Sequence, residues 1–213
     1  MAYEPRHIPT ILAGTLALYA CVSVPMQPAS DDPAYRSRYA ASAEVVAGRD
    51  LAQLTSSALR EVTTISFDRS AGDIFYPLLT EVDRYDDAIA AVTFDHSRSV
   101  NPGTFGVGSV RICTFTRGKA LYEPLVIFEE GRVHAYTVDE ARSTRGLPVS
   151  DVLLFYTFED TAPGKSLVTV RAHFTPSPRL AGPIIQYAFG RTITATFARA
   201  AEVFGGRLVD AEG

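Results

Sequence analysis

The sequence predicts an α+β fold: runs of antiparallel strands packed against one long C-terminal helix. Three observations predict it. Leu180–Phe204 carries apolar residues at helical spacing. The segments between Val62 and Phe174 alternate apolar and polar residues and are joined by short turns. The helical segments stand apart from the main strand run and do not alternate with it, and that segregation gives α+β layering.

The bulk numbers fit one domain plus an extension, with 213 residues of which 46% are hydrophobic. A net charge of −4, with no basic run, excludes the electrostatic footprint of a nucleic-acid binder. Two cysteines, Cys21 and Cys113, show no metal-ligand or redox spacing. No metal site and no cofactor are expected.

Residues 1–21 read as an export segment. The apolar run Ile8–Val24 follows a head carrying Arg6 and His7, and it is shorter than the roughly 20 residues of a comfortable bilayer span. Leu18-Tyr19-Ala20-Cys21 resembles a lipobox, in which Cys21 is lipidated. An uncleaved anchor helix and a plain secretory signal are the alternatives. Each places the remainder outside the cytoplasm, periplasmic or secreted, or held at a membrane. Residues 22–60 follow as a Pro-rich tether, Pro25–Pro33, and an Ala-rich stretch without a firm assignment.

The globular domain is expected over 61–206, with 207–213 as a tail. Val62–Phe67 is rich in β-branched residues and reads as a strand. Ile74–Tyr85 has helical spacing interrupted by Pro77, which predicts two short helices. Ala90–Phe94 is a strand. Gly106-Val107-Gly108 precedes the strand Ser109–Thr116 and lacks a third glycine, so it reads as a turn and not as a phosphate loop. Lys119–Phe128, with Pro124 at an edge or bulge, pairs with Val133–Val138 across Glu129–Arg132. Asp139–Val149 is a polar loop. Asp151–Phe158 and Ser166–Phe174 form a second hairpin around Pro163-Gly164. In the last helix, at about 100° per residue, Ile185, Phe189, Ile193, Phe197, Ala200 and Phe204 share one face. Arg191, Arg199 and Glu202 share the other. Gly190 lies inside the helix and permits close packing, and Gly205-Gly206 stops it.

The order of these segments resembles the START-like, or SRPBCC, superfamily, closest to its polyketide cyclase/dehydrase and coenzyme-Q-binding branch. The stretches that carry the resemblance are Ile74–Tyr85 with its LTEVDRY core, Gly106–Arg111, the Leu121–Val138 hairpin, and His173–Phe189. They span about Val62–Phe204. The resemblance implies a helix-grip fold, a curved antiparallel sheet wrapped around the C-terminal helix with a deep apolar pocket between them. Relatives bind lipids, sterols, polyketides or quinones, and a minority catalyse cyclisation or dehydration. Many relatives have Trp soon after the Asp-x-x-Tyr segment. Here Asp86-Asp87-Ala88 stands there, so the pocket mouth is expected to differ.

Strand parity nominates the pocket lining. Glu123, His134, Tyr136, Tyr156 and Phe174 share the inward parity of their strands, Tyr85 lies near the mouth, and Phe189, Ile193 and Phe197 come from the helix. Glu123, beside Pro124, is expected to face solvent. If buried, it and His134 are the candidate acid–base pair. His173 falls on the outer parity and His96 near a loop. Three functions compete: a tethered binding module for a hydrophobic small molecule, a cyclase/dehydratase-like enzyme using the same pocket, and a partner-docking domain. The first is favoured because paired catalytic groups are scarce.

Overall fold

The computed structural model describes residues 54–177 and 182–209. The export segment, Cys21 and the tether lie outside the described residues, as does the expected start of the last helix at Leu180.

The elements run β1 (Leu59–Phe67), α1 (Ala71–Thr80), a 3₁₀ turn (Val82–Arg84), β2 (Ile89–Asp95), β3 (Val110–Phe115), β4 (Ala120–Glu129), β5 (Val133–Thr137), β6 (Val149–Ala162), β7 (Lys165–Pro176), α2 (Gly182–Phe204) and β8 (Gly206–Val209). The strands form one eight-stranded antiparallel sheet in the order β2-β3-β4-β5-β6-β7-β1-β8. Sequential strands pair from β2 to β7, through short turns at β3–β4, β4–β5 and β6–β7 and through longer loops at β2–β3 and β5–β6. β1 returns to pair with β7. α2 packs on β1, β8 and β7, and α1 packs on β6 and β7. This is the helix-grip layering that the sequence predicts.

Alternation decides which face of each strand is buried. Along β7, Val168, Val170, Ala172 and Phe174 are fully buried, while Leu167, Thr169, Arg171 and His173 are half-buried. On β1, Ile65 and Phe67 face the same core. Each such side chain contributes about 1.5–3 kcal/mol when removed from water.

Four departures from the sequence reading have physical causes. The segment holds two short helices, α1 and a 3₁₀ helix, but the break falls at Glu81 and not at Pro77, which α1 runs through to Thr80. A proline in a helix interior costs about 3 kcal/mol. Burial of Ile74, Phe75, Leu78 and Leu79, all without exposed surface, outweighs that. Ser70 caps the helix by accepting from the Asp73 amide at 3.2 Å. Secondly, β6 begins at Val149, inside the expected loop, and bulges between Ser150 and Leu153. Asp151 in that bulge has φ 49°. Its carboxylate accepts from the Ser56 amide at 2.8 Å and the Ser56 hydroxyl at 2.7 Å, which pins the chain entering β1. Thirdly, β1 starts at Leu59, before the expected boundary. Lastly, Arg207–Val209 are not a tail: β8 pairs with β1 through Thr64↔Val209 to Phe67↔Gly206.

The glycine pair before β3 makes a turn. Gly108 has φ +91°, and a Cβ there would sit 2.1 Å from the Arg98 carbonyl oxygen, so only glycine fits. Among the described residues, no helix is long and apolar enough to cross a membrane.

Candidate functional site: a closed interior and an open groove

Parity on β3 points Arg111 and Cys113 into the core, and antiparallel register sets Arg111 directly opposite Glu123 on β4. Arg111 Nε donates to Glu123 Oε2 at 2.9 Å, and the same oxygen accepts from Cys113 Sγ at 3.2 Å. Arg111 also donates to the Leu79 carbonyl at 3.3 Å, and its guanidinium lies 3.9 Å from the Tyr136 ring centroid. Arg111 is 2% exposed and Glu123 6%, so the pair sits in the dry interior and cancels its own charge.

The pair opens an aromatic chain. The hydroxyls of Tyr136 and Tyr156 share a hydrogen bond of 2.7 Å. His134 lies 4.3 Å from Tyr156 and 5.2 Å from Phe75, ring centre to ring centre. Phe197 of α2 meets Tyr156 edge-on at 5.6 Å. Burial pushes the Tyr136 hydroxyl up to about 12, with the Arg111 charge pulling the other way. Tyr156 and Tyr85 are raised in the same way, and so is the Cys113 thiol. His134 falls well below the ordinary imidazole value, through burial first and the Arg111 charge second. Neither of its ring nitrogens has a hydrogen-bond partner.

This network is poorly suited to acid–base work. Glu123 is committed to Arg111 and Cys113, the tyrosines hold their protons, and His134 has no neighbour with which to exchange one. Phe75, Phe158, Phe174, Tyr156 and Phe197 fill the space between sheet and helices.

Two recesses stand out among the described residues, and neither reaches this network. One is a groove of about 640 Å³ between β1 and α2, lined by Arg60, Glu61, Pro183, Gln186, Tyr187, Arg191, Thr194, Ala195 and Ala198. The other, of about 60 Å³, lies between Val138, Glu140 and Leu147. Among the described residues β8 pairs with β1 from Thr64 to Phe67, and the groove residues Arg60 and Glu61 lie on the stretch of β1 before it. Arg60 donates to Gln186 Oε1 at 3.2 Å. Glu61 Oε1 accepts from Thr194 at 2.8 Å. Arg191 donates to the Tyr187 hydroxyl at 3.0 Å. Gly190 is where the sequence reading is sharpest: a Cβ there would come 2.8 Å from Glu61 Oε2, so the glycine lets the carboxylate press against the helix.

Tyr136, Tyr156, Phe174, Ile193 and Phe197 are buried as their parity predicts, and Phe189 is half-buried against Phe174 at 4.9 Å. None of them lines either recess. Two expectations are corrected. Glu123 does not face solvent, because Arg111 neutralises it in the core. Tyr85 is not at a mouth: it is 2% exposed and donates to the Leu78 carbonyl at 2.7 Å. Parity alone missed Arg111, although an arginine in phase with Cys113 on an apolar strand was the available signal. The groove residues were missed for a different reason, since β1 and α2, which line it, are far apart in the sequence and meet only in the fold.

No family profile matches the chain, and no curated protein sequence matches it. Solved structures do. A START superfamily protein from Mycobacterium smegmatis matches with a TM-score of 0.50 at 11% identity, over 70% of this chain and 98% of its own. Norcoclaurine synthase from Thalictrum flavum, solved with dopamine and hydroxybenzaldehyde, matches at 0.47 and 16% identity, over 75% of this chain and 92% of its own. A Bacillus cereus protein matches at 0.49 and 18%, over 67% and 93%. Likeness at such identities concerns the fold.

Proposed function

We propose that this chain, which has the START-like (SRPBCC) fold, is a binding module that holds a hydrophobic small molecule between its sheet and its C-terminal helix, in the β1–α2 groove. The observation that carries the reading is the groove itself. At about 640 Å³ it falls in the range of small-molecule sites, roughly 300–1,000 Å³. Pro183, Ala195, Ala198 and the Tyr187 ring supply apolar wall, and a few polar groups stand ready to orient a head group. Lipid, quinone, sterol and polyketide-like molecules all have this build. The cyclase/dehydratase alternative is disfavoured because Glu123 is ion-paired and neither recess reaches it or His134.

The test is extraction of small molecules from the purified full-length chain, followed by mass spectrometry. A hydrophobic compound is expected from the native chain and is expected to vanish from Ala195→Trp, which fills the groove. Retention of the same compound by that variant overturns the groove as its site.

The apolar run ending at Leu18-Tyr19-Ala20-Cys21 supports a second part of the proposal: the domain is exported and held at a membrane through lipidated Cys21. Cys21→Ser is then expected to leave an unprocessed precursor and to abolish membrane association. Unchanged migration and association would favour an anchor helix instead.

A further inference from the structure

We infer that the groove selects anionic amphiphiles, single-chain molecules with a carboxylate or phosphate head; the inference rests on the binding-module reading above. The charged groups that line the groove are Arg60, Glu61 and Arg191. Glu61 offsets one of the two arginine charges without ion-pairing to either among the described residues, and one net positive charge remains. Its Oε1 accepts from Thr194 and its Oε2 lies against Gly190, so the carboxylate is turned toward α2.

The two guanidiniums are held differently. Arg60 is drawn along β1 by the Phe174 carbonyl at 3.4 Å and by Gln186 at 3.2 Å. Arg191 is steadied by its neighbour one turn away, donating to the Tyr187 hydroxyl and lying 5.7 Å from that ring's centroid. Neither has a carboxylate partner among the described residues, whereas Arg84, Arg111, Arg132, Lys165 and Arg199 all do. Two positioned guanidiniums flanking one groove form a receptor for a planar or tetrahedral anion, because each offers parallel N–H donors that match oxygen pairs. The apolar wall of Pro183, Ala195 and Ala198 takes the chain.

The chain contains no tryptophan, so Ile184→Trp places a single reporter on α2 beside Pro183, at a position 74% exposed. The full-length reporter protein in phosphatidylcholine nanodiscs, corrected against empty nanodiscs, is titrated with decanoate, decyl phosphate and decanol. Decanoate or decyl phosphate is expected to bind at least tenfold more tightly than decanol, and the tighter of the two identifies the head group. Arg60→Gln with Arg191→Gln is expected to bring that ratio within twofold while leaving the circular dichroism unchanged. Equal binding of all three, abolished by Ala195→Phe in the reporter protein, overturns the anion inference and leaves the groove reading intact. No binding of any of them, or binding that Ala195→Phe does not affect, overturns the groove reading itself. A tenfold preference that survives the double arginine substitution also overturns the inference, since the charge then acts from elsewhere.

Discussion

The two halves of α2 continue one apolar stripe but bury it unequally. In the C-terminal half, Ile193, Phe197, Ala200, Ala201 and Phe204 are buried in the core. In the N-terminal half, Gly190 is the one buried residue, and Ile185 and Phe189 of the stripe are half-buried against the core. Off the stripe, Ile184 is 74% exposed and Tyr187 65%. The groove runs beside the stripe along both halves, on Pro183, Gln186, Tyr187, Arg191, Thr194, Ala195 and Ala198, and faces Arg60 and Glu61 of β1. A continuous apolar stripe therefore does not imply equal burial along it, and a site can flank the core on the same helix.

Substitution at Phe197 tests that division most severely. Phe197→Ala removes the ring that meets Tyr156 and is expected to cost about 3–5 kcal/mol in urea unfolding. Tyr187→Ala, at an exposed site, is expected to change stability by no more than about 0.5 kcal/mol. Comparable losses at the two positions would show that both halves carry the core.

The closed interior makes its own demand. Glu123→Leu leaves the Arg111 guanidinium buried without a counter-charge, and the expected loss is about 3–5 kcal/mol. Pairing it with Arg111→Met is expected to recover most of that loss, because a well-packed apolar pair replaces a buried ion pair at little cost. A double variant no more stable than the single one would show that the pair, and not its neutrality, holds β3 to β4.

How far the sequence carried the reading depends on the range of the signal. The strands, the long helix and the inward parity of Tyr136, Tyr156 and Phe174 were legible because alternation and helical period are local. Glu123 was misjudged because its environment is set by Arg111, twelve residues away across a hairpin. Pro77 was overvalued because its cost is local, while the burial of Leu78 and Leu79 that overrides it is tertiary. β8 was invisible: four residues that begin inside the glycine pair carry too little pattern, and pairing with β1 makes them a strand. The groove was invisible too, because β1 and α2, which line it, are distant in sequence.

His134 gives a smaller effect with a defined sign. Its folded-state pKa lies below the unfolded value of about 6.5, so the unfolded chain binds the proton first as pH falls. The stability this confers is present above that value and declines below it, by about 1.4 kcal/mol per pH unit at most. Arg111, Tyr136 and Tyr156 stand around the ring, and none of them changes charge near pH 6. Comparing native and His134→Phe unfolding between pH 7 and pH 5 isolates the contribution. The variant is expected to show the shallower decline, and parallel curves would mean that the imidazole is protonated in the fold.

Gly190→Ala is expected to change stability little, and it bears most directly on the contrast between core and groove. Alanine gains about 1 kcal/mol of helix propensity over glycine. The new Cβ cannot coexist with Glu61 Oε2 at 2.8 Å, but that oxygen ends a flexible side chain and can swing away. Doing so breaks the Thr194–Glu61 hydrogen bond, worth about 0.5–1.5 kcal/mol. The two terms nearly cancel, so unfolding free energy is expected to stay within about 1 kcal/mol of the native chain. Binding is not expected to stay put. A released Glu61 carboxylate enters a groove whose other charged linings among the described residues are Arg60 and Arg191, and it competes there with any anionic head group. Decanoate affinity is therefore expected to fall while decanol affinity holds. A variant that loses stability and keeps its decanoate affinity would place Glu61 in the structural half of the molecule, and the boundary between core and groove would have to be moved outward past Gly190.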